Sequence, residues 1–315
     1  MLARMLWQVW ESLAPVFLAI AVGALLRALR FLPDAFFGGL NKLAFWVCLP
    51  CLLFHEIAHC QVTVEGAWRM APWILALTII PQLLAGWLLA KLLRVPAPSR
   101  SAFLQGGMRA NLAYVGIPVI TFALARNPQA AGLAALTLAP VTTLYNVVSV
   151  LLLTRRAQTG ATRWGNWRAI FLSIAGNPLI LSCLLGLLFF AARIPIPHSV
   201  DKTIDLFGKG GLPTALLALG AGLSLARVRG HFLHASAASL VRVAGGPLFG
   251  WWIAGWFGVT GDMRLLLLLF SACPTAVASY VMADQMGADK NLAAAIVVLS
   301  TLYSFAALAA VILLA

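Results

Sequence analysis

Acidic side chains are scarce in this chain. Its 315 residues include nine Asp and Glu against 22 Lys and Arg, and charged residues of every kind amount to 10%. That excludes an ordinary soluble domain, in which about 25% of residues are charged. The nine acids, Glu11, Asp34, Glu56, Glu65, Asp201, Asp205, Asp262, Asp284 and Asp289, all fall at or near the ends of apolar stretches. No two form an intramembrane pair, which argues against a cation antiporter that loads protons or sodium on paired carboxylates. A sodium site built from hydroxyls, amides and carbonyls stays open. Long polar segments are missing too, residues 154–168 being the one sizeable linker. Cysteine is sparse: Cys48, Cys51, Cys60, Cys183 and Cys273 lie mostly inside apolar stretches. Cys48 and Cys51 therefore read as small packing side chains and not as a redox pair. No cofactor is expected.

What the chain has is hydrophobicity, at 62% of its residues. It reads as an all-α integral membrane protein. Ten stretches approach the roughly 20 residues that a helix needs to cross a hydrocarbon core. They lie at 7–29, 36–58, 68–93, 101–125, 130–153, 169–191, 202–225, 236–258, 263–286 and 290–314. The net charge of +13 is scattered through the short loops between them, so it marks topology and not nucleic acid. Loops after odd-numbered spans hold 12 Lys and Arg and those on the other side seven. The positive-inside rule then places both termini outside the cell membrane. The run at 7–29 has no small-residue cleavage site and should stay in the mature protein.

The halves resemble each other. Pro15, Leu18, Gly23, Leu25 and Arg30 return 163 positions later as Pro178, Leu181, Gly186, Leu188 and Arg193, and Leu49-Pro50 as Leu212-Pro213. With five spans in each half, 1–153 and 169–315, the second copy must be inverted, a common plan among secondary transporters.

Spans 4 and 9 should break near their middles, at Pro118 and Pro274, because proline removes a donor and clashes with the preceding turn. Free amides at the half-helix N-termini would then offer positive dipole ends to an anion. Asn111, Gly116, Ile117, Pro118, Pro274 and Thr275 are the candidate substrate-binding residues, with Arg109 and Tyr280 in supporting roles. Arg109 either attracts a carboxylate, braces Asn111 or snorkels to the interface. Lys42 leans to the interface. Gly246, Gly250, Ala254 and Gly258 give span 8 a smooth packing ridge.

One motif stands apart. His55-Glu56-Ile57-Ala58-His59 matches H-E-x-x-H, in which two imidazoles one turn apart bind zinc and the Glu activates water. A catalytic site needs a third protein ligand and a cleft. No Asn-Pro-Asp-Gly or Leu-Asp-Gly segment supplies one, so the pentad reads as interfacial polar residues at the outer end of span 2, with no metal ligand assigned.

The ordered set of fragments resembles the auxin efflux carrier family over nearly the whole chain. It comprises Leu40-Asn41-Lys42-Leu43, Arg109-Ala110-Asn111-Leu112-Ala113 with Gly116-Ile117-Pro118, Gly176-Asn177-Pro178-Leu179, Leu212-Pro213-Thr214-Ala215, Pro274-Thr275-Ala276 with Tyr280, and the run from Leu292 to Thr301. The resemblance implies a scaffold of spans 1, 2, 6 and 7 that also forms a homodimer contact. Spans 3–5 and 8–10 would form a transport domain whose broken helices cross at Pro118 and Pro274. It further implies carriage of a small carboxylate, with Asn111 at the family's polar position near the crossing. The long cytoplasmic loop of plant auxin exporters is absent, which counts against auxin itself as substrate.

The expected function is a secondary transporter of a small organic anion, working by an elevator-like motion in a lipid membrane, with sodium or proton coupling left open. Its rivals are a sodium-coupled symporter of the bile-acid type, an intramembrane zinc metalloprotease using residues 55–59, and a channel or membrane scaffold.

Overall fold

A chain this apolar has few side chains to pair with its backbone, so each N–H and C=O must be satisfied along the chain itself. In the computed structural model this is achieved by helices. The structure describes residues 2–59, 70–127, 129–154, 175–176, 178–223 and 228–314. The linker expected at 154–168, apart from Thr154, lies outside them, as do Cys60, Glu65 and the first residues of span 6. Among the described residues there is no strand, only an isolated bridge between Ala110 and Thr275.

The first half runs α1 (Leu2–Ala28), α2 (Asp34–Leu43), a π-helical stretch (Ala44–Cys48), α3 (Leu49–Ala58), α4 (Ala71–Leu92), α5 (Arg100–Met108), a second π stretch (Leu112–Gly116), α6 (Ile117–Ala123) and α7 (Ala130–Thr154). The second half runs α8 (Pro178–Ala192), α9 (His198–Lys209), α10 (Gly211–Gly222), α11 (Phe232–Leu240), a third π stretch (Val241–Gly245), α12 (Gly246–Trp256), α13 (Gly261–Ala272), α14 (Ala278–Gln285) and α15 (Lys290–Leu314).

Among the described residues, five helices are long and apolar enough to cross a membrane: Val9–Ala28, Asp34–Ala58, Ala71–Leu92, Ala130–Leu153 and Lys290–Leu314. The protein is thus a multi-pass membrane protein. The other five stretches expected as spans are divided or less apolar. Span 4 parts into α5 and α6, span 7 into α9 and α10 at Gly210, and span 9 into α13 and α14, while α8 is short. Span 8 runs on through its π stretch but carries His234, Arg242, four glycines and three tryptophans. Large side chains such as Leu18, Trp73, Ile80, Leu84 and Trp256 are exposed, as expected of surfaces facing lipid and not water.

The chain forms two compact units. Unit 1 comprises Met1–Trp68, Ala113–Pro140 and Ala175–Leu223, and unit 2 comprises Arg69–Leu112, Val141–Ile174 and Ser224–Ala315. Within α7 the boundary falls at Pro140, a proline inside the helix.

In unit 1 the backbones of α1 and α10 touch. A Cβ on Gly23 would collide with the carbonyl of Leu217, and one on Gly220 with the carbonyl of Ile20. Small residues permit this approach between membrane helices. Arg27 crosses the same junction, donating from Nη1 to the carbonyl of Ala221 at 2.6 Å near the end of α10. Helices α3 and α8 meet likewise at Gly186, where a Cβ would lie 3.1 Å from the carbonyl of Phe54.

Helix ends also recur. Arg30 and Arg193 close α1 and α8 with φ of 51° and 52°. Beyond each, the next amide reaches back five residues, Phe31 to Leu26 and Ile194 to Phe189, at 3.1 Å. This is the Schellman closure, made here without glycine.

Candidate functional site

In unit 2 two helices stop short and their broken ends pair. Pro274 excludes its predecessor from the helical region, so α13 ends at Ala272 and Cys273 is extended, with φ −58° and ψ 145°. Helix α5 ends at Met108 after the weak helix formers Gly106 and Gly107, and Arg109 is extended with φ −87° and ψ 108°. The amide of Asn111 donates to the carbonyl of Pro274 at 2.7 Å, and that of Ala276 donates to the carbonyl of Arg109 at 3.1 Å. The two breaks thus form a miniature antiparallel ladder centred on Ala110 and Thr275.

The first break therefore lies at residues 109–111 and not at Pro118. Pro118 sits in the first turn of α6, where a missing N–H costs little. The amides expected to be free at the breaks are partly spent on each other. Thr275 is fully buried; its hydroxyl donates to the carbonyl of Gly106 at 2.7 Å, and its amide donates to Ser300 Oγ at 3.0 Å.

Two guanidinium groups surround this ladder. Arg109 is buried, donating from Nη2 to Asn146 Oδ1 at 2.7 Å and from Nη1 to Ser149 Oγ at 3.4 Å, with Met282 Sδ also against Nη1. Of the roles open to it in sequence, snorkelling is set aside by these partners on α7. Arg242, in the third π stretch, is 0% exposed. Its Nε donates to the carbonyl of Cys273 at 3.1 Å; Nη1 donates to the carbonyl of Met108 at 2.7 Å and to Gln82 Oε1 at 3.1 Å; Nη2 donates to the carbonyl of Ser271. It thereby caps the C-terminal carbonyls of α5 and α13 together, where a cation also complements both helix dipoles. Among the described residues neither arginine forms an ion pair.

Arg242 was not singled out in the sequence. The available signal was a lone cation within an otherwise apolar span, beside the Gly245-Gly246 pair.

Of the residues selected from sequence, Arg109, Asn111, Pro274, Thr275 and Tyr280 belong to unit 2, and the structure brings the first four together at the ladder. Asn111 is 5% exposed and Tyr280 partly buried. Gly116, Ile117 and Pro118 are buried and belong to unit 1. Lys42 is exposed. In unit 1, His55, His59 and Asp201 bring two imidazoles and a carboxylate within 4.8 Å of one another, the one group of side chains among the described residues with metal-ligand chemistry.

The chain is 26% identical over 137 residues to auxin efflux carrier component 6 of Arabidopsis thaliana, a match covering 42% of this chain and 24% of that protein. The family described as membrane transport protein matches residues 8–312. With nearly the whole length accounted for, the chain belongs to that family, the family of the auxin efflux carriers, whose members are transporters and not enzymes.

Proposed function

We propose that this protein is a secondary transporter of a small organic anion, a carboxylate, working by elevator-type alternating access. The observation that carries the reading is the pair of buried guanidinium groups at a crossing of broken helices, with no carboxylate paired to either among the described residues. An intramembrane cation is costly and marks an ion or substrate path. Its field favours an anion arriving at the ladder, where Asn111 and Thr275 lie and near which the N-terminus of α14 is a positive dipole end. Arg109 supplies attraction and holds the first break. Unit 2 would be the moving body and unit 1 the scaffold, with the homodimer contact on the scaffold.

Ten spans in two inverted repeats fit the same reading. Under the offset of 163, Gly23 and Leu217 become Gly186 and Phe54, and both pairs are close approaches of a glycine to a carbonyl. The closures at Arg30 and Arg193 obey the same offset. A pseudo-two-fold axis exchanges contacts in this manner. The protein would sit in the cell membrane with both termini outside, driven by sodium, protons or the substrate gradient alone.

The test is counterflow of labelled mono- and dicarboxylates into liposomes holding the purified protein, with and without a sodium gradient. Saturable exchange of one acid, abolished in Asn111→Ala while the variant keeps its unfolding temperature, is the expected result. Exchange with unchanged kinetics in the variant would remove Asn111 from the site, and no exchange of any acid by folded protein would sink the reading.

A further inference from the structure

The H-E-x-x-H pentad plays no part in the transport reading, yet the fold supplies what its sequence lacked. Helix α9 packs against α3 within unit 1 and carries Asp201 in its first turn. Asp201 Oδ1 lies 3.6 Å from His55 Nε2 and 3.4 Å from His59 Nε2. The two imidazoles occupy one face of the last turn of α3, with ring centroids 4.4 Å apart. We propose that His55, His59 and Asp201 form a binding site for one zinc-class divalent ion, which clamps the end of α3 to the start of α9.

Three features of the geometry argue for an ion in preference to a direct ion pair. Charge-assisted N–H···O contacts are about 2.7–2.9 Å long, and both separations here exceed that. Two ligand atoms each about 2.0–2.1 Å from a tetrahedral zinc stand roughly 3.3–3.4 Å apart, close to the spacing found. Asp201 Oδ1 is also shielded from solvent and has no hydrogen-bond partner among the described residues, an expensive state for a carboxylate oxygen unless a cation occupies the gap.

The tautomer points the same way. His59 Nδ1 lies 3.0 Å from the backbone carbonyl of His55. A carbonyl can only accept, so Nδ1 carries a proton, which leaves Nε2, the nitrogen 3.4 Å from Asp201 Oδ1, as the metal-binding atom of the ring. Metal-bound histidines are held in this way by a second hydrogen bond. Imidazole nitrogen selects zinc and its neighbours over magnesium or calcium. His59, with its side chain 46% exposed, leaves the fourth position open to water. Glu56 lies between the two histidines in sequence but is not among the three ligands.

Purified protein, stripped with a chelator and dialysed against zinc, should bind one equivalent per chain and gain thermal stability. His59→Ala and Asp201→Asn should weaken binding by more than the ~10–100-fold that even outer-shell partners contribute, and should abolish the stability gain. Glu56→Gln should keep both. Cobalt loaded in place of zinc should give the intense visible absorption of a tetrahedral site, absent in Asp201→Asn. No stoichiometric binding, or zinc held equally by the His59 and Asp201 variants, would overturn the proposal. None of these readouts depends on transport.

Discussion

In unit 1 helix backbones meet directly through glycine, Gly23 against Leu217 and Gly220 against Ile20; in unit 2 Gly246 meets the carbonyl of Ser271 in the same way, but there broken helix ends are also held by the side chain of Arg242. Packing of the first kind depends little on polar bonds, such as that from Arg27 to the carbonyl of Ala221. It is tight and shape-dependent, and it resists sliding because any shift drives backbone into backbone. Packing of the second kind uses directional bonds from one cation to carbonyls of Met108, Ser271 and Cys273 and to Gln82. It keeps otherwise orphaned carbonyls satisfied around an interrupted backbone, which continuous helices do not require. On the proposed transport cycle, a scaffold would suit the first construction and a substrate-bearing crossing the second.

The sharpest way to break this contrast is to remove the hub. Arg242→Ala leaves several buried carbonyls without donors and should cost on the order of 3–5 kcal/mol, read as a large drop in unfolding temperature in detergent. Arg242→Lys should recover only part, since an ammonium has three donors and no planar fork. Gly220→Ala tests the other unit. Overpacking there should cost about 1–3 kcal/mol, and Gly186→Ala less, because its nearest contact is 3.1 Å. An Arg242→Ala variant as stable as wild type would mean that the polar hub is dispensable and the contrast false. Arg109→Gln sharpens the comparison within unit 2. It should cost about 1 kcal/mol of stability while raising the substrate concentration needed for half-maximal exchange. A stability loss matching that of Arg242→Ala would make Arg109 a brace and nothing more.

Legibility in the sequence followed how local each cause is. The helical class and membrane character came from composition, and the recurring pair Arg30 and Arg193 marked two helix ends that close in the same way. Pro274 announced its break because proline acts on its own neighbour. The break at Arg109 had no such marker: Gly106 and Gly107 only permit it, and it is the pairing with Thr275, from the other half of the chain, that stabilises it. Pro118 drew attention away from it, although Ala110 and Thr275 stand 165 apart, close to the repeat offset. Arg242 was silent for a related reason, since its partners come from α4, α5 and α13 and leave no spacing pattern. Asp201 joins the histidine pair from 146 residues beyond His55 and 142 beyond His59, out of the reach of any motif.

The smallest effect we expect concerns the joint between α5 and α15 in unit 2. Asp289 caps α15, its Oδ1 accepting from the amide of Leu292 at 3.0 Å and its Oδ2 from Ser99 Oγ at 2.6 Å. Burial alone would raise its carboxyl. The amides of Leu292 and Asn291, the Ser99 hydroxyl and nearby His231 outweigh that and hold it below the ordinary value. A carboxyl depressed in the folded state contributes its stability above the unfolded pKa of about 3.9 and loses it as pH falls through the lower folded value. Asp289→Ala should therefore cost about 1 kcal/mol at neutral pH, the usual worth of an N-cap. The gap between variant and wild type should close in acid. Unfolding temperatures measured from pH 7 down to about 2 would show it. A gap unchanged at the acid end would mean that packing of Asp289, and not its charge, secures the start of α15, leaving Arg242 the dominant charged brace of unit 2.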